Sequence, residues 1–167
     1  IVRPGVARHA GYGETYLGGA AMQPVAGLFQ AAGFQTELVD NVEGLLWGKL
    51  AVNAGINPLT ALLRVPNGYL AENPAAQSLM VAAAQETAAV ARAQGISLPY
   101  VDAGQQALNV AQATAANQSS MLQDVQNGRQ TEIEAITGAV VRAGRGATVP
   151  TPVNELLFRL AAANFPA

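Results

Sequence analysis

The sequence of 167 residues contains no cysteine, one histidine (His9) and one lysine (Lys49). Without cysteine the chain has no disulfides, no thiolate metal ligands and no cysteine nucleophile. A single histidine excludes a metal site built from several imidazoles. His9 lies in a Gly-rich stretch with no evident acid or base partner, which favours a structural role. We therefore expect no metal site in this chain.

Charged residues are scarce as well, at 12% of the chain against 50% apolar residues, with a net charge of −2. This composition excludes a disordered chain. It also lacks the basic surface that binds nucleic acid. No apolar run approaches the roughly 20 residues of a membrane helix, so no membrane partner is expected. The absence of cysteine suits a cytoplasmic protein. The first residues show neither an initiator Met nor a signal-peptide pattern, so we expect part of a longer protein.

Residues 1–40 alternate between strand and helix patterns. Two short strands joined by a Gly-containing turn are predicted over Val6–Gly19. A short helix follows over Pro24–Ala32, with Gly33 as its C-cap, and then a strand over Gln35–Val39. This β/α piece is too small to bury a core alone, so its strands should lie at the edge of a larger sheet.

From residue 41 to 167 the pattern is helical, and about six helices are expected. The first runs over Asn41–Leu63, and Pro58 should end or kink it near Asn57. The other helices are predicted from Asn73-Pro74 to Ala93, over Tyr100–Ala115, from the capping boxes at Ser120 and Thr131, and from Thr151-Pro152 to near Phe165. Frequent alanine predicts a compact bundle, because small side chains let helices approach closely.

Three polar side chains follow each other at four-residue spacing on the first long helix. Because each step of four residues drifts only about 40°, Lys49, Asn53 and Asn57 share one strip of roughly 12 Å. Apolar neighbours cover much of the remaining circumference, so we expect a largely buried helix whose polar strip faces a polar environment. A further hypothesis is that Trp47 and its apolar neighbours bury Lys49. A pocket for an anionic ligand would satisfy one ammonium and two amides. A solvated face would satisfy them too, since Lys and Asn are common at surfaces.

A second polar stretch, Asn117-Gln118-Ser119-Ser120, precedes a predicted helix. Backbone N–H groups at a helix N-terminus with adjacent hydroxyls can bind an anion, although simple capping is the commoner use. Glu132 falls in the first turn of another predicted helix, where a carboxylate also has a plain dipole role. Asn67-Gly68 indicates an ordinary turn.

Three stretches together resemble the ketopantoate reductase family (2-dehydropantoate 2-reductases). They are His9-Ala10-Gly11-Tyr12-Gly13-Glu14-Thr15-Tyr16-Leu17-Gly18, the segment from Leu46-Trp47-Gly48-Lys49 to Leu62, and Ser119 to Asp124 with Gly128 to Gly138. Thr151-Pro152-Val153-Asn154 fits as well. The resemblance covers nearly the whole chain in order.

The resemblance implies a mainly α fold. Residues 41–167 would form a helical substrate-binding and catalytic bundle similar to the C-terminal domain of 6-phosphogluconate dehydrogenase. Residues 1–40 would be the end of a Rossmann-type dinucleotide-binding domain. The implied activity is the NADPH-dependent reduction of ketopantoate to pantoate, a step of pantothenate and coenzyme A biosynthesis.

The resemblance also implies roles for particular residues. Lys49 matches the general acid of the family, and Glu132 matches a carboxylate on the cofactor side of the cleft. The positions that match substrate contacts are Asn53, Asn57, Asn67, Asn117, Ser119 and Ser120.

One family feature is missing, because Gly11-x-Gly13 neither continues as G-x-G-x-x-G nor opens a helix. Most of the NADPH site would therefore belong to an N-terminal domain outside these residues, and this chain alone should be inactive. Two alternatives stay open: a reductase of another 2-oxo acid, and a stand-alone helical module that binds a ligand or partner without catalysis. Unpaired strand edges recruit partners, so these residues alone are expected to form dimers or larger species, a homodimer among them.

Overall fold

The computed structural model describes residues 5–6 and 13–165. The chain divides into two compact units, Ile1–Val42 and Glu43–Ala167. The first unit is a small β/α piece and the second consists of helices. The mainly α fold predicted from the sequence is therefore confirmed. The assignment of the first unit to a dinucleotide-binding domain stays a prediction.

The first unit contains two short parallel strands connected through a helix. Strand β1 spans Thr15–Gly18 and strand β2 spans Thr36–Val39, with helix α1, Gln23–Ala31, between them in sequence. Parallel strands need such a crossover, because a tight turn cannot join them. The strand predicted before residue 13 falls largely on residues 7–12, and His9 is among them; these residues lie outside the described part of the chain.

Gly33 ends α1 as the sequence predicted. Its φ of 85° lies in the left-handed region that glycine adopts without strain. The N–H of Gly33 donates to the carbonyl of Gln30 at 2.9 Å, and the N–H of Phe34 donates to that of Phe29 at 3.0 Å. The rings of Phe29 and Phe34 lie 5.7 Å apart. This pattern of two hydrogen bonds and one apolar contact is a Schellman motif.

The second unit is built from helices and one π-helical turn. Its elements are α2 (Val42–Leu63), α3 (Asn67–Glu72), α4 (Pro74–Ala93), α5 (Ala103–Ala113), α6 (Ser120–Gln126), a π turn (Glu134–Gly138), α7 (Ala139–Gly146) and α8 (Pro152–Asn164). Helix α2 begins at the last residue of the first unit. Within residues 13–165, none of these helices combines the length and apolar character needed to cross a bilayer.

Helix α2 does not end near Asn57, so that part of the prediction was wrong. Pro58 lies inside the continuous helix and is fully buried. Proline costs an intrahelical hydrogen bond. Here the residues from Ala54 to Ala61 are all buried, and packing of this kind overrides a local preference.

The core depends on glycine and alanine where helices cross. A Cβ added to Gly55 would meet the Met80 carbonyl oxygen at 2.8 Å, so α2 approaches the backbone of α4 directly at this point. Ala51, Ala83 and Ala84 are fully buried in the same cluster as Met80. A second cluster joins Ala54, Met121 and Val140. Close approach of this kind is what alanine-rich helices permit.

Helix starts follow the sequence in some places and not in others. Asn73 caps α4 through hydrogen bonds from the N–H groups of Ala75 and Ala76, both 3.1 Å. Helix α6 is capped by Ser119 rather than Ser120, through the N–H of Leu122 at 3.1 Å. After Thr131 the chain forms the π turn before α7, and Asn67-Gly68 opens α3 instead of making only a turn.

Candidate active site

The structure places Lys49, Asn53 and Asn57 along α2 at the predicted spacing. Their exposure falls along the helix. Lys49 is exposed, Asn53 is half-buried and Asn57 retains 5% of its accessible surface. The strip therefore begins in solvent and ends inside the bundle. It combines a solvated face with an enclosed end, the two arrangements that the sequence left open.

Lys49 and Asn53 line one wall of an open groove of about 500 Å³. The other lining residues are Gly48, Val52, Pro99, Tyr100, Gln106 and Val110. The mixture of one ammonium, two amides and several apolar groups suits a small ligand with a charged end and an aliphatic end.

Tyr100 fixes the loop before α5 against α2 beside this groove. Its hydroxyl donates a 2.6 Å hydrogen bond to the carbonyl oxygen of Gly48. Burial raises the pKa of the Tyr100 hydroxyl above its usual 10.0. The loop can come this close because Gly48 has no side chain: a Cβ there would lie 2.9 Å from Cδ of Pro99.

Lys49 is not enclosed as expected. Lys49 is exposed. Leu46, one turn earlier, is 63% exposed, and Trp47 packs against the cluster of Ala54 and Met121. Small residues form much of the buried side of α2. The large apolar residues near Lys49 are therefore divided between the core and the surface.

The inner end of the strip meets the N-terminus of α6. The side-chain amide of Asn57 donates to the Ser120 hydroxyl at 3.3 Å. One turn further along α2, the hydroxyl oxygens of Thr60 and Ser119 are 2.7 Å apart. Ser119 is 6% exposed, whereas Ser120 is exposed. The two serines thus point to different environments, although both were predicted as contacts of the same ligand.

Asn67 and Asn117 are brought together by their backbones. The N–H of Asn67 donates to the carbonyl of Asn117 at 3.0 Å, and the side-chain amide of Asn67 donates to the Thr114 hydroxyl at 2.9 Å. Asn67 is 7% exposed, and its side-chain oxygen has no partner among the described residues. Asn117 is exposed.

Glu132 stands apart from this network. Its side chain is exposed, and its carbonyl oxygen accepts the N–H of Ile136 at 2.9 Å as the π turn begins. Within residues 13–165, no hydrogen bond or ion pair joins the side chains of Glu132 and Lys49 to each other or to the amides. The structure therefore connects Asn57 with Ser120 and Asn67 with Asn117, and leaves the two charged groups open to solvent.

Sequence reasoning missed three residues of this region: Thr60, Tyr100 and Gln106. Thr60 had a usable signal, since it lies three residues after Asn57 and extends the same face of α2. Tyr100 and Gln106 line the groove from the loop before α5 and from α5 itself, so no local pattern along α2 indicates them.

The helical second unit has the fold of a class of proteins, the helical C-terminal domains of ketopantoate reductase-like folds. Residues 41–164 match the family profile described as "Ketopantoate reductase PanE/ApbA C terminal". The chain is 45% identical over 150 residues to the 2-dehydropantoate 2-reductase of Pyrobaculum aerophilum, a match that covers 90% of this chain and 53% of that one. It is 40% identical to that of Halobacterium salinarum, covering 94% and 54%. The chain belongs to the ketopantoate reductase family.

Solved structures agree with this assignment. A PanE/ApbA family ketopantoate reductase from Ralstonia eutropha JMP134 has a TM-score of 0.86 at 34% identity, covering 93% of this chain and 52% of that one. D-mandelate dehydrogenase in complex with NADH gives 0.82 at 26%, covering 92% and 55%. The dimeric ketopantoate reductase of Staphylococcus aureus gives 0.73 at 26%, covering 89% and 52%. The chain spans about half the length of the curated relatives it matches.

Proposed function

We propose that these residues supply the proton donor and substrate-binding surface of an NADPH-dependent 2-dehydropantoate 2-reductase, which reduces ketopantoate to pantoate for pantothenate and coenzyme A synthesis. The observation that carries this proposal is the strip of Lys49, Asn53 and Asn57. It runs from an open groove to Ser120 at the start of α6. A cytoplasmic location follows from this biosynthetic role.

Lys49 is the general acid of the proposed reaction. When hydride adds to the carbonyl carbon of a 2-oxo acid, the π electrons move to oxygen, and that oxygen then takes a proton from the Lys49 ammonium. The product is a 2-hydroxy acid. An exposed ammonium at the mouth of a groove can reach such an oxygen and can be reprotonated from solvent.

The amides and hydroxyls bind and orient the substrate. Asn53, Asn117 and Ser120 have accessible side chains and are the proposed direct contacts. The buried Asn57 acts beside Ser120, to whose hydroxyl it donates. Asn67 and Ser119, assigned to the same region by the family resemblance, are less than one-tenth exposed.

NADPH supplies the hydride, and we propose that a dinucleotide-binding domain outside these residues holds most of it. The chain spans about half of its relatives, and residues 1–40 would be the end of that domain. Glu132 fits the cofactor side of the cleft, because its exposed carboxylate has no side-chain partner among the described residues and can accept a hydrogen bond. The 167 residues alone are expected to be inactive.

The test is NADPH oxidation with ketopantoate by the full-length protein that contains this sequence. Lys49→Ala should lower kcat by about 10²- to 10⁴-fold, the usual contribution of a general acid. Arg92→Ala, which removes an exposed cation from the end of α4, is the control and should leave kcat unchanged. Normal turnover by Lys49→Ala would refute the assignment.

A second candidate is a reductase of a bulkier 2-oxo acid. The likeness to D-mandelate dehydrogenase favours it, since that protein is solved in a ternary complex with NADH and anilino(oxo)acetate, an oxoacetate that carries an aryl group. The open groove beside Lys49 does not by itself select a short substrate. Comparing kcat/KM for ketopantoate and for an aryl 2-oxo acid decides between the two. Binding of either acid without any NADPH oxidation would point instead to a non-catalytic module.

We also propose a homodimer, supported by the dimeric relative from Staphylococcus aureus. Light scattering coupled to size-exclusion chromatography tests this directly. A monomer at high protein concentration would contradict it.

A further inference from the structure

A pair of buried hydroxyl groups joins the helix that carries the polar strip to the N-terminus of α6. Thr60 is fully buried and Ser119 is 6% exposed, and their hydroxyl oxygens are 2.7 Å apart. They are 59 residues apart in sequence. The contact therefore ties together two segments that only the tertiary fold brings close.

The direction of this hydrogen bond follows from counting protons. The Thr60 hydroxyl has one proton, and the carbonyls of Ile56 and Asn57 lie 2.9 Å and 3.1 Å away as acceptors within the helix. The Ser119 oxygen accepts the N–H of Leu122 at 3.1 Å. Among the described residues, the Ser119 proton has no acceptor other than Thr60. Every donor is used when Leu122 donates to Ser119, Ser119 to Thr60, and Thr60 to Ile56.

This arrangement separates the roles of the two serines. The Ser119 proton is committed to Thr60 inside the bundle. The Ser120 oxygen accepts from Asn57 at 3.3 Å, and its own proton has no acceptor within residues 13–165. Ser120 can therefore donate to a ligand oxygen, whereas Ser119 holds the first residues of α6 in place.

We propose that Thr60 is a positioning residue of the active site: through Ser119 it fixes α6 so that Ser120 and Asn57 meet the substrate together. This role rests on the proposed reductase function. Thr60 sits three residues beyond Asn57 on the same helix, so one rigid element sets both partners. Loss of the Thr60 hydroxyl leaves Ser119 with a buried proton and no acceptor, and the start of α6 must shift or rotate to satisfy it.

The chain offers a matched control in Thr87 on α4. Thr87 is also fully buried, and its hydroxyl also donates at 2.9 Å to the carbonyl four residues earlier, that of Ala83. No second hydroxyl bonds to it among the described residues. Thr87→Val and Thr60→Val therefore both remove a hydrogen bond to the carbonyl four residues earlier. Thr60→Val also removes the longer contact with the Asn57 carbonyl, at 3.1 Å, and the link to Ser119.

The experiment compares Thr60→Val, Thr60→Ser and Thr87→Val in the full-length reductase with NADPH and a 2-oxo acid. Thr60→Val should raise KM for the 2-oxo acid by about tenfold, roughly the effect of one lost hydrogen bond, and leave KM for NADPH unchanged. Thr60→Ser should restore KM to within about twofold. A purely structural role would lower the active fraction, and hence kcat, without moving KM.

Amide hydrogen exchange adds a readout that needs no turnover. Thr60→Val should accelerate exchange of the Leu122 amide by at least about tenfold, while Thr87→Val should leave it unchanged. Equal KM values for Thr60→Val and Thr87→Val in an active enzyme would overturn the role of Thr60 alone. A wild-type enzyme that reduces no 2-oxo acid would overturn the proposed function, and this role with it.

Discussion

Glu86 on α4 holds the first turn of α8 through Asn154. One carboxylate oxygen of Glu86 accepts the backbone N–H of Asn154 at 2.9 Å and its side-chain amide at 2.8 Å. The other oxygen accepts the N–H of Val153 at 2.9 Å. A carboxylate from a distant part of the sequence thus caps α8. The N-cap residue of α8, Thr151, makes no side-chain capping bond.

We expect Glu86→Ala to lower the free energy of unfolding by about 2–3 kcal/mol, since hydrogen bonds to charged groups contribute most and the buried Asn154 amide loses a partner. Urea denaturation monitored by circular dichroism measures this. Gln85→Ala removes the exposed neighbour on the same helix and should change stability by less than about 0.5 kcal/mol. Equal effects of the two substitutions would contradict the capping role.

Gly55→Ala should destabilise the helical unit by about 1–3 kcal/mol. The added methyl group would meet the Met80 carbonyl at 2.8 Å, and backbone cannot yield as a flexible side chain does. Gly27→Ala in α1 is the comparison, because its Cβ would meet nothing within 4 Å. Helix propensity alone predicts a slight stabilisation there. The melting temperature should fall for the first substitution and not for the second.

Thr148→Gly should stabilise the protein by about 0.5–1 kcal/mol. Thr148 follows α7 with φ of 55°, a left-handed conformation that a β-branched residue adopts only with strain. Thr148→Ala keeps a Cβ in the same conformation and should gain little. Chemical denaturation of both variants tests this prediction. It fails if alanine stabilises as much as glycine.

Stability at alkaline pH should depend on Tyr100. Because burial raises the pKa of its hydroxyl in the folded protein, the unfolded chain loses this proton first as the pH rises above about 10. The contribution of Tyr100 is therefore complete below that pH and is lost as the pH rises through the folded value.

Tyr100→Phe tests this directly. It should cost about 1 kcal/mol near neutral pH, where the hydrogen bond to Gly48 is intact. The difference from wild type should shrink at alkaline pH. Unfolding curves of both proteins from about pH 7 to 11 measure that difference. A difference independent of pH would show that the hydroxyl proton does not contribute.

Local signals in the sequence were enough to predict several elements. Asn73-Pro74 predicted the start of α4, and Gly33 predicted the end of α1, because caps and left-handed glycines act through neighbouring atoms only. The four-residue spacing of Lys49 and Asn53 placed both side chains on one face of α2, because helical geometry is also local.

The remaining features depend on tertiary packing. Pro58 continues α2 because buried neighbours stabilise the helix, and Ser119 rather than Ser120 caps α6, in contact with Thr60. The exposure of Lys49 likewise depends on which side of α2 the other helices cover. The role of Lys49 in catalysis and that of Glu132 on the cofactor side of the cleft stay predictions.

Gly48 decides how near the loop before α5 can come to α2. With a Cβ at this position, Pro99 would be 2.9 Å away and the loop would have to retreat. Pro99 and Tyr100 line the same groove as Lys49 and Asn53. The width of the groove therefore depends on Gly48, whose side chain is a single hydrogen atom. Adding one carbon at this position would change which molecules fit the groove and would leave the groups that bind them unaltered.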